Sequence, residues 1–166
     1  NRKELFTMSL ESVKQYFKSL GRENDIREFS QSSATVELAA QAVGTAPARI
    51  AKTLSFYSKE KDHAILIVTA GDMKIDNSKF KHYFGMKAKM LAKDDVEPLT
   101  GHGIGGVCPF ANPSHTEIYL DQSLKRFETV FPAAGSENSA IELTCSELEN
   151  YTNAKDWIDV CKPMDQ

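Results

Sequence analysis

Residues 51–70 read AKTLSFYSKEKDHAILIVTA, and two different patterns share this stretch. From Ala51 to Tyr57 side chains alternate, with Lys52, Leu54 and Phe56 on one face and Thr53, Ser55 and Tyr57 on the other. That period of two predicts a strand. From Ile65 to Ala70 the run is continuously apolar, which predicts a central strand buried on both faces. The longest purely aliphatic part, Ala64–Val68, is strand-length and far too short to span a bilayer.

Outward from these strands the elements are short and mixed. Ser9 is expected to cap a helix carrying Leu10, Val13, Phe17 and Leu20, ended by Gly21. Ile26–Phe29 reads as a strand. Thr35 is placed to cap a second helix that Gly44 stops, and Pro47 opens a tight turn. Asp76 is expected to cap a lysine-rich helix over Ser78–Phe84, closed by Gly85. Ala88–Leu91 reads as a brief strand, and Asp94 and Asp95 start a helical turn before Pro98. Later strands are expected at Glu117–Leu120, Thr129–Phe131, Ala140–Leu143 and Trp157–Val160. A helical turn is expected at Ser123–Phe127, and a helix capped by Ser146 to Tyr151. The order lacks the regular alternation of a doubly wound sheet.

The 166 residues suit one domain, with 41% hydrophobic and 26% charged side chains. The N-terminus has no apolar h-region that would signal secretion. Three widely spaced cysteines, Cys108, Cys145 and Cys161, argue against a disulfide framework and fit a reducing, cytoplasmic setting. The net charge of −3 does not advertise a nucleic-acid binder. Its distribution is less bland: Lys74, Lys79, Lys81, Lys87, Lys89 and Lys93 face a single acid, Asp76, within twenty residues. This is either a solvated helix face or a patch for a polyanion.

The glycines gather in GHGIGGVCPF, residues 101–110. Gly101-x-Gly103-x-x-Gly106 matches a dinucleotide fingerprint in spelling only. That motif must open a helix, and Pro109 and Pro113 oppose one here. His102, Cys108 and His115 have no common zinc spacing. Cys108 with a histidine base would be a nucleophile only if its pKa were lowered. The remaining functional reading is backbone: glycines let N–H groups face a cleft and hold a carbonyl or oxyanion. A plain solvent turn is the alternative.

Ala51-Lys-Thr-Leu54, Ile65–Val68, Gly105-Gly-Val-Cys-Pro-Phe110 and Ala134-Gly-Ser136, in this order, resemble the YbaK/ProX family of trans-editing aminoacyl-tRNA deacylases, over about residues 10–162. The family is similar to the editing insertion of bacterial prolyl-tRNA synthetases. The resemblance implies an α+β fold, with a mixed, curved, barrel-like β-sheet and flanking helices. It implies hydrolysis of the ester joining a wrong amino acid, such as cysteine or alanine, to tRNA-Pro. It matches the family's important lysine to Lys52, its glycine-proline loop to Gly105, Gly106 and Pro109, and its second glycine loop to Gly135, next to Ser136, so catalytic roles are expected at Lys52, Gly105, Gly106 and Pro109. On the backbone reading, N–H groups around Gly106 to Cys108 are expected to hold the carbonyl, with Val107, Cys108, Gly135 and Ser136 binding substrate. Lys74, Lys79, Lys81 and Lys87 are the expected tRNA contacts, with Tyr83 and Phe84 as nearby aromatics. The tRNA 3′ end is the expected partner, with a prolyl-tRNA synthetase as a second; no metal, cofactor or membrane is implied. One departure stands out: many members carry glycine where this chain has Ala111. A non-catalytic tRNA- or synthetase-binding module is the rival reading, since fold does not fix function.

Overall fold

The computed structural model describes the backbone of residues 2–166 and the side chains from Ser9 onward. Six strands form the main sheet: β2 (Ile50–Tyr57), β3 (Ala64–Ala70), β5 (Glu117–Asp121), β6 (Thr129–Pro132), β8 (Leu143–Thr144) and β9 (Asp156–Ile158). Their order is β8-β6-β2-β3-β5-β9, curled into a half-barrel. β2–β3 and β6–β8 are antiparallel; β2–β6, β3–β5 and β5–β9 are parallel. The α+β architecture with a mixed curved sheet is therefore the one expected.

Every residue of β3 is buried. Leu66, Val68 and Ala70 join one core with Val13, Phe17, Phe110 and Leu120. Ile65 and Ile67 join a second core with Phe56, Phe80 and Ile158. Strand alternation sends successive side chains to opposite faces, so both faces need a cover. Helix α1 (Arg2–Ser19) covers the first with Val13 and Phe17. Helix α3 (Asn77–Phe84) covers the second with Phe80, which packs on Phe56 at a ring-centroid distance of 5.1 Å.

Helix ends follow local chemistry where they were expected to. Thr35 caps α2 (Val36–Val43) by accepting from Leu38 N–H, and Gly44 ends it at φ 75°. Asp76 caps α3 by accepting from Ser78 and Lys79 N–H, and Gly85 ends it at φ 71°. Other expectations need correction. Ser9 lies inside α1, buried, with its hydroxyl on His102 rather than on a helix end. Thr144, not Ser146, caps α5 (Cys145–Thr152), because the Thr144-x-x-Glu147 spacing closes a reciprocal capping box. Helix α4 (Lys93–Thr100) runs through Pro98; the Thr100 hydroxyl returns a bond to Val96 O and Gly101 N–H to Glu97 O, so the end stays satisfied.

Ala88–Leu91 makes one bridge, Met90 to Phe56, not a strand, since only the far end of β2 lacks a partner there. The stretch Ala140–Leu143 splits. β7 (Ser139–Ala140) pairs with β1 (Arg27–Glu28), and β8 pairs with β6, because the chain leaves one sheet to join another. The last expected strand shortens to β9. Two three-residue strands, β4 (Met73–Ile75) and β10 (Cys161–Pro163), pair with each other. They are too short to show a period in sequence.

Gly71 ends β3 where α2 and the Pro47 turn crowd the sheet. A Cβ there would lie 2.1 Å from Pro47 O and 2.7 Å from Val36 Cγ1. Gly71→Ala should therefore force backbone movement and lower Tm by about 5 °C or more in a thermal melt. A second test concerns His63, at the start of β3. Its ring bridges Asp62 (2.8 Å) and Glu117 on β5 (2.6 Å). Burial disfavours its charge, but the bonds to Glu117 and Asp62 win and raise its pKa. A raised folded pKa gives stability that is complete below the unfolded value and is lost as pH rises through the folded one. His63→Gln should then cost on the order of 0.5–1 kcal/mol at pH 5.5 and markedly less at pH 8.5, read from paired denaturation curves.

Candidate active site

A cavity of about 630 Å³ opens between β2, the start of α2, the residues before α4 and the glycine loop. Its walls are mostly apolar, with hydroxyls from Thr35, Thr53, Ser55 and Ser139. Ala51, Lys52 and Thr53 are consecutive and all line it, so the cavity wraps around this end of the strand.

Lys52 is its distinctive charge. The side chain is half-buried, with Nζ 3.5 Å from Gly71 O and 3.7 Å from Met164 Sδ. No carboxylate lies within ion-pair distance of it among the described residues. Burial pulls its pKa below the ordinary lysine value, against the weaker opposing pull of Cys161, Asp72 and Glu37. An ammonium partly removed from water, with donors to spare, is a receptor for an anion.

The glycine loop meets this wall from the other side. Gly101 caps α4 at φ 82°, and His102 turns fully inward. Its Nε2–H donates to Phe110 O (2.6 Å), so Nδ1 accepts from the Ser9 hydroxyl. Burial lowers its pKa and keeps the ring neutral. Gly105 takes φ 91° and lines the cavity, as Val107 does. Among the described residues, neither N–H has a protein acceptor. Gly106 differs: its N–H donates to Gly103 O (3.0 Å). An added Cβ there would lie 3.1 Å from Ser136 Cα, so glycine at 106 lets the two loops pack together. Ala111 holds φ 54°, the left-handed angle that glycine reaches with less strain. Asn112 steadies this turn by donating from Nδ2 to Thr100 O (2.8 Å) and Cys108 O (3.0 Å).

The residues singled out from sequence thus divide. Lys52, Gly105 and Val107 converge on the cavity. Gly106, Cys108, Pro109, Gly135 and Ser136 are buried and support the wall without lining it. Cys108 packs into the core beneath, with no exposure, and burial pushes its thiol up to about 12. Such a thiol is not ionised near neutral pH and is no nucleophile. Gly135 must stay bare, since a Cβ would meet Ser9 O and Val13 Cγ2 at 2.8 Å. The Ser136 hydroxyl lies within hydrogen-bond distance of Asn138 Oδ1 (2.9 Å) and Ser139 Oγ (2.8 Å), donating to the first and accepting from the second. Ser139, in turn, reaches the cavity.

The four expected tRNA-binding lysines lie away from it. Lys74 sits opposite Lys162 in the β4–β10 pair. Lys79 donates to Asp159 (2.9 Å) and Cys161 O (3.0 Å) beside a separate cavity of about 620 Å³. Lys81 and Lys87 are exposed, and neither lines the first cavity. Lys93 does, although it was noted only as part of the basic run. Thr53 and Ser55 were legible in the alternation of β2; Ser139, Ile104 and Phe131 had no local signal. Among the described residues no three His, Cys, Asp or Glu side chains converge as a metal ligand set.

The chain is 59% identical over 155 residues to the uncharacterized protein YwhH of Bacillus subtilis (strain 168), covering 93% of this chain and 98% of that protein. It superposes at TM-score 0.82 and 28% identity on a protein proposed to be a trans-editing enzyme for prolyl tRNA synthetase, covering 93% and 97% of the two chains. The hypothetical protein APE2540 matches at TM-score 0.79 and 27% identity, over 91% and 99%. Residues 30–151, which carry both glycine loops and all the cavity-lining strands, match the aminoacyl-tRNA editing domain. The chain belongs to the aminoacyl-tRNA editing domain family.

Proposed function

We propose that this protein hydrolyses the ester that joins a mistaken amino acid to tRNA, acting in trans on tRNA-Pro carrying cysteine or alanine. The observation that carries the reading is the pairing, across one cavity, of an uncompensated Lys52 with the unspent backbone N–H groups of Gly105 and Val107. Lys52 binds a phosphate near the 3′ end as a point charge. The loop N–H groups receive the carbonyl oxygen as it gains charge. The oxygen of a water, or a nucleophile within the substrate, attacks the carbonyl carbon. The bond from that carbon to the ribose oxygen breaks, and the ribose oxygen takes up a proton. With water, the products are a free amino acid and an uncharged tRNA 3′ end.

An aminoacyl ester is already labile, so orientation and charge stabilisation suffice without a strong protein base. Thr53, Ser55 and Ser139 supply hydroxyls to place the amino group or the water, with Ser136 and Gly106 setting the loop behind them. Pro109 fixes the chain leaving the turn. A prolyl-tRNA synthetase is the natural source of the mischarged substrate, as the protein similar in structure suggests.

Two substitutions test the assignment on Cys-, Ala- and Pro-tRNA. Lys52→Ala should lower kcat/KM for deacylation by about 100-fold or more, chiefly through a raised KM, the scale of losing one buried charge contact to the substrate. Full activity of that variant on every substrate would remove Lys52 from the chemistry. Cys108→Ala should keep its rate within about threefold while losing about 1–2 kcal/mol of stability as a small core cavity opens. If wild-type protein binds the tRNAs without turning any over, the binding-module reading is the correct one.

A further inference from the structure

The face of β2 that lines the cavity continues beyond it. Ala51, Thr53 and Ser55 lie in the cavity, and strand alternation makes Tyr57 the next residue on that face. The segment before α4 runs antiparallel along this end of β2. Tyr57 N–H donates to Lys89 O (2.9 Å) and Leu91 N–H to Ser55 O (3.1 Å). Leu91 lines the cavity, so Lys89, two residues earlier, stands on the same face just outside it.

Charge gathers there. Lys89 Nζ lies 5.7 Å from the centre of the Tyr57 ring. Lys61, from the β2–β3 connection, approaches so closely that its ammonium holds the Lys89 pKa below the ordinary value. Lys93 adds a third cation on the cavity wall. Two nearby carboxylates are engaged elsewhere: Asp95 accepts from the Tyr57 hydroxyl, and Asp62 binds His63 and Ser58; Glu60 and Asp94 flank Lys61 and Lys93 in sequence and leave the cluster a net cationic edge. Like charges crowded on an exposed surface repel unless an anion lies between them. Met90, 60% exposed, and Ile104, 47% exposed, add apolar surface where the cavity opens.

The geometry points to a path for a single-stranded polynucleotide, with phosphates on Lys61, Lys89 and Lys93, unpaired bases against Met90 and Ile104, and the 3′ terminus in the cavity. Alternating phosphate contacts and apolar base contacts are how single strands are held without sequence readout. The path rests on the reading of the cavity as a tRNA 3′-end site. It differs from the α3 surface, where Lys79 is tied to Asp159.

Fluorescence anisotropy with uncharged tRNA-Pro, and with a single-stranded hexanucleotide ending in CCA, tests it directly. Lys61→Glu/Lys89→Glu should weaken both complexes at least about tenfold and flatten the log–log salt dependence by about 1.4, two single-strand phosphate contacts. The charge-matched control Lys18→Glu/Lys125→Glu should stay within about twofold of the unaltered protein. No change in the first variant, or an equal or larger loss in Lys79→Glu/Lys81→Glu, overturns the path. Absence of salt-dependent binding by the unaltered protein overturns it as well. Binding that depends on Lys61 and Lys89 without ester hydrolysis keeps the path and removes the deacylase reading, so the two fail separately.

Discussion

The antiparallel pairing of β2 with β3, from Ala51↔Ala70 to Tyr57↔Ala64, is the constraint on which the rest of this molecule depends. Because β3 is apolar on both faces, it must sit inside, and β2 beside it inherits one flank of each core. The pairing also sets Lys52 opposite Thr69, near the point where the sheet ends at Gly71. There the chain is so crowded that only a bare backbone fits, and the carbonyl of Gly71 is left for the Lys52 ammonium. Core packing and the placement of the site's cation are thus one arrangement.

The glycine loop on the other side of the cavity owes its shape to bare backbone. Glycine at 105 gives a positive φ, glycine at 106 gives loop-to-loop contact, and glycine at 135 lets α1 approach. His102, Ser9 and Asn112 then hold the loop by hydrogen bonds that never reach the cavity. The polar groups that hold the loop are therefore spent internally, while the N–H groups of Gly105 and Val107, which line the cavity, have no acceptor among the described residues. This division is what the proposed function asks of the site: to hold an ester carbonyl and a phosphate rather than to supply a strong base.

Much of the fold was legible locally. The caps Thr35 and Asp76, the stops Gly44 and Gly85 and the run Ile65–Ala70 each carry their own physical signal within a few residues. Elements without such a signal were missed or misplaced. β4 and β10 exist only because Met73–Ile75 and Cys161–Pro163 find each other across the chain. Ser9 looks like a helix cap in sequence, yet its hydroxyl is used by a histidine 93 residues away.

The same line divides the site. By itself the sequence determined a strand lysine among apolar neighbours, a glycine loop that the prolines keep from opening a helix, and the family resemblance those residues carry. Only the tertiary structure decided which members of that set face the same space. It turned Cys108 and Ser136 inward, brought Ser139 and Lys93 to the cavity, and tied Lys79 to Asp159. The reason is physical: residue type and spacing fix what a side chain can do and which way a strand or helix points it. Burial, partner and shared cavity depend on contacts between segments far apart in the chain, and no local pattern encodes those.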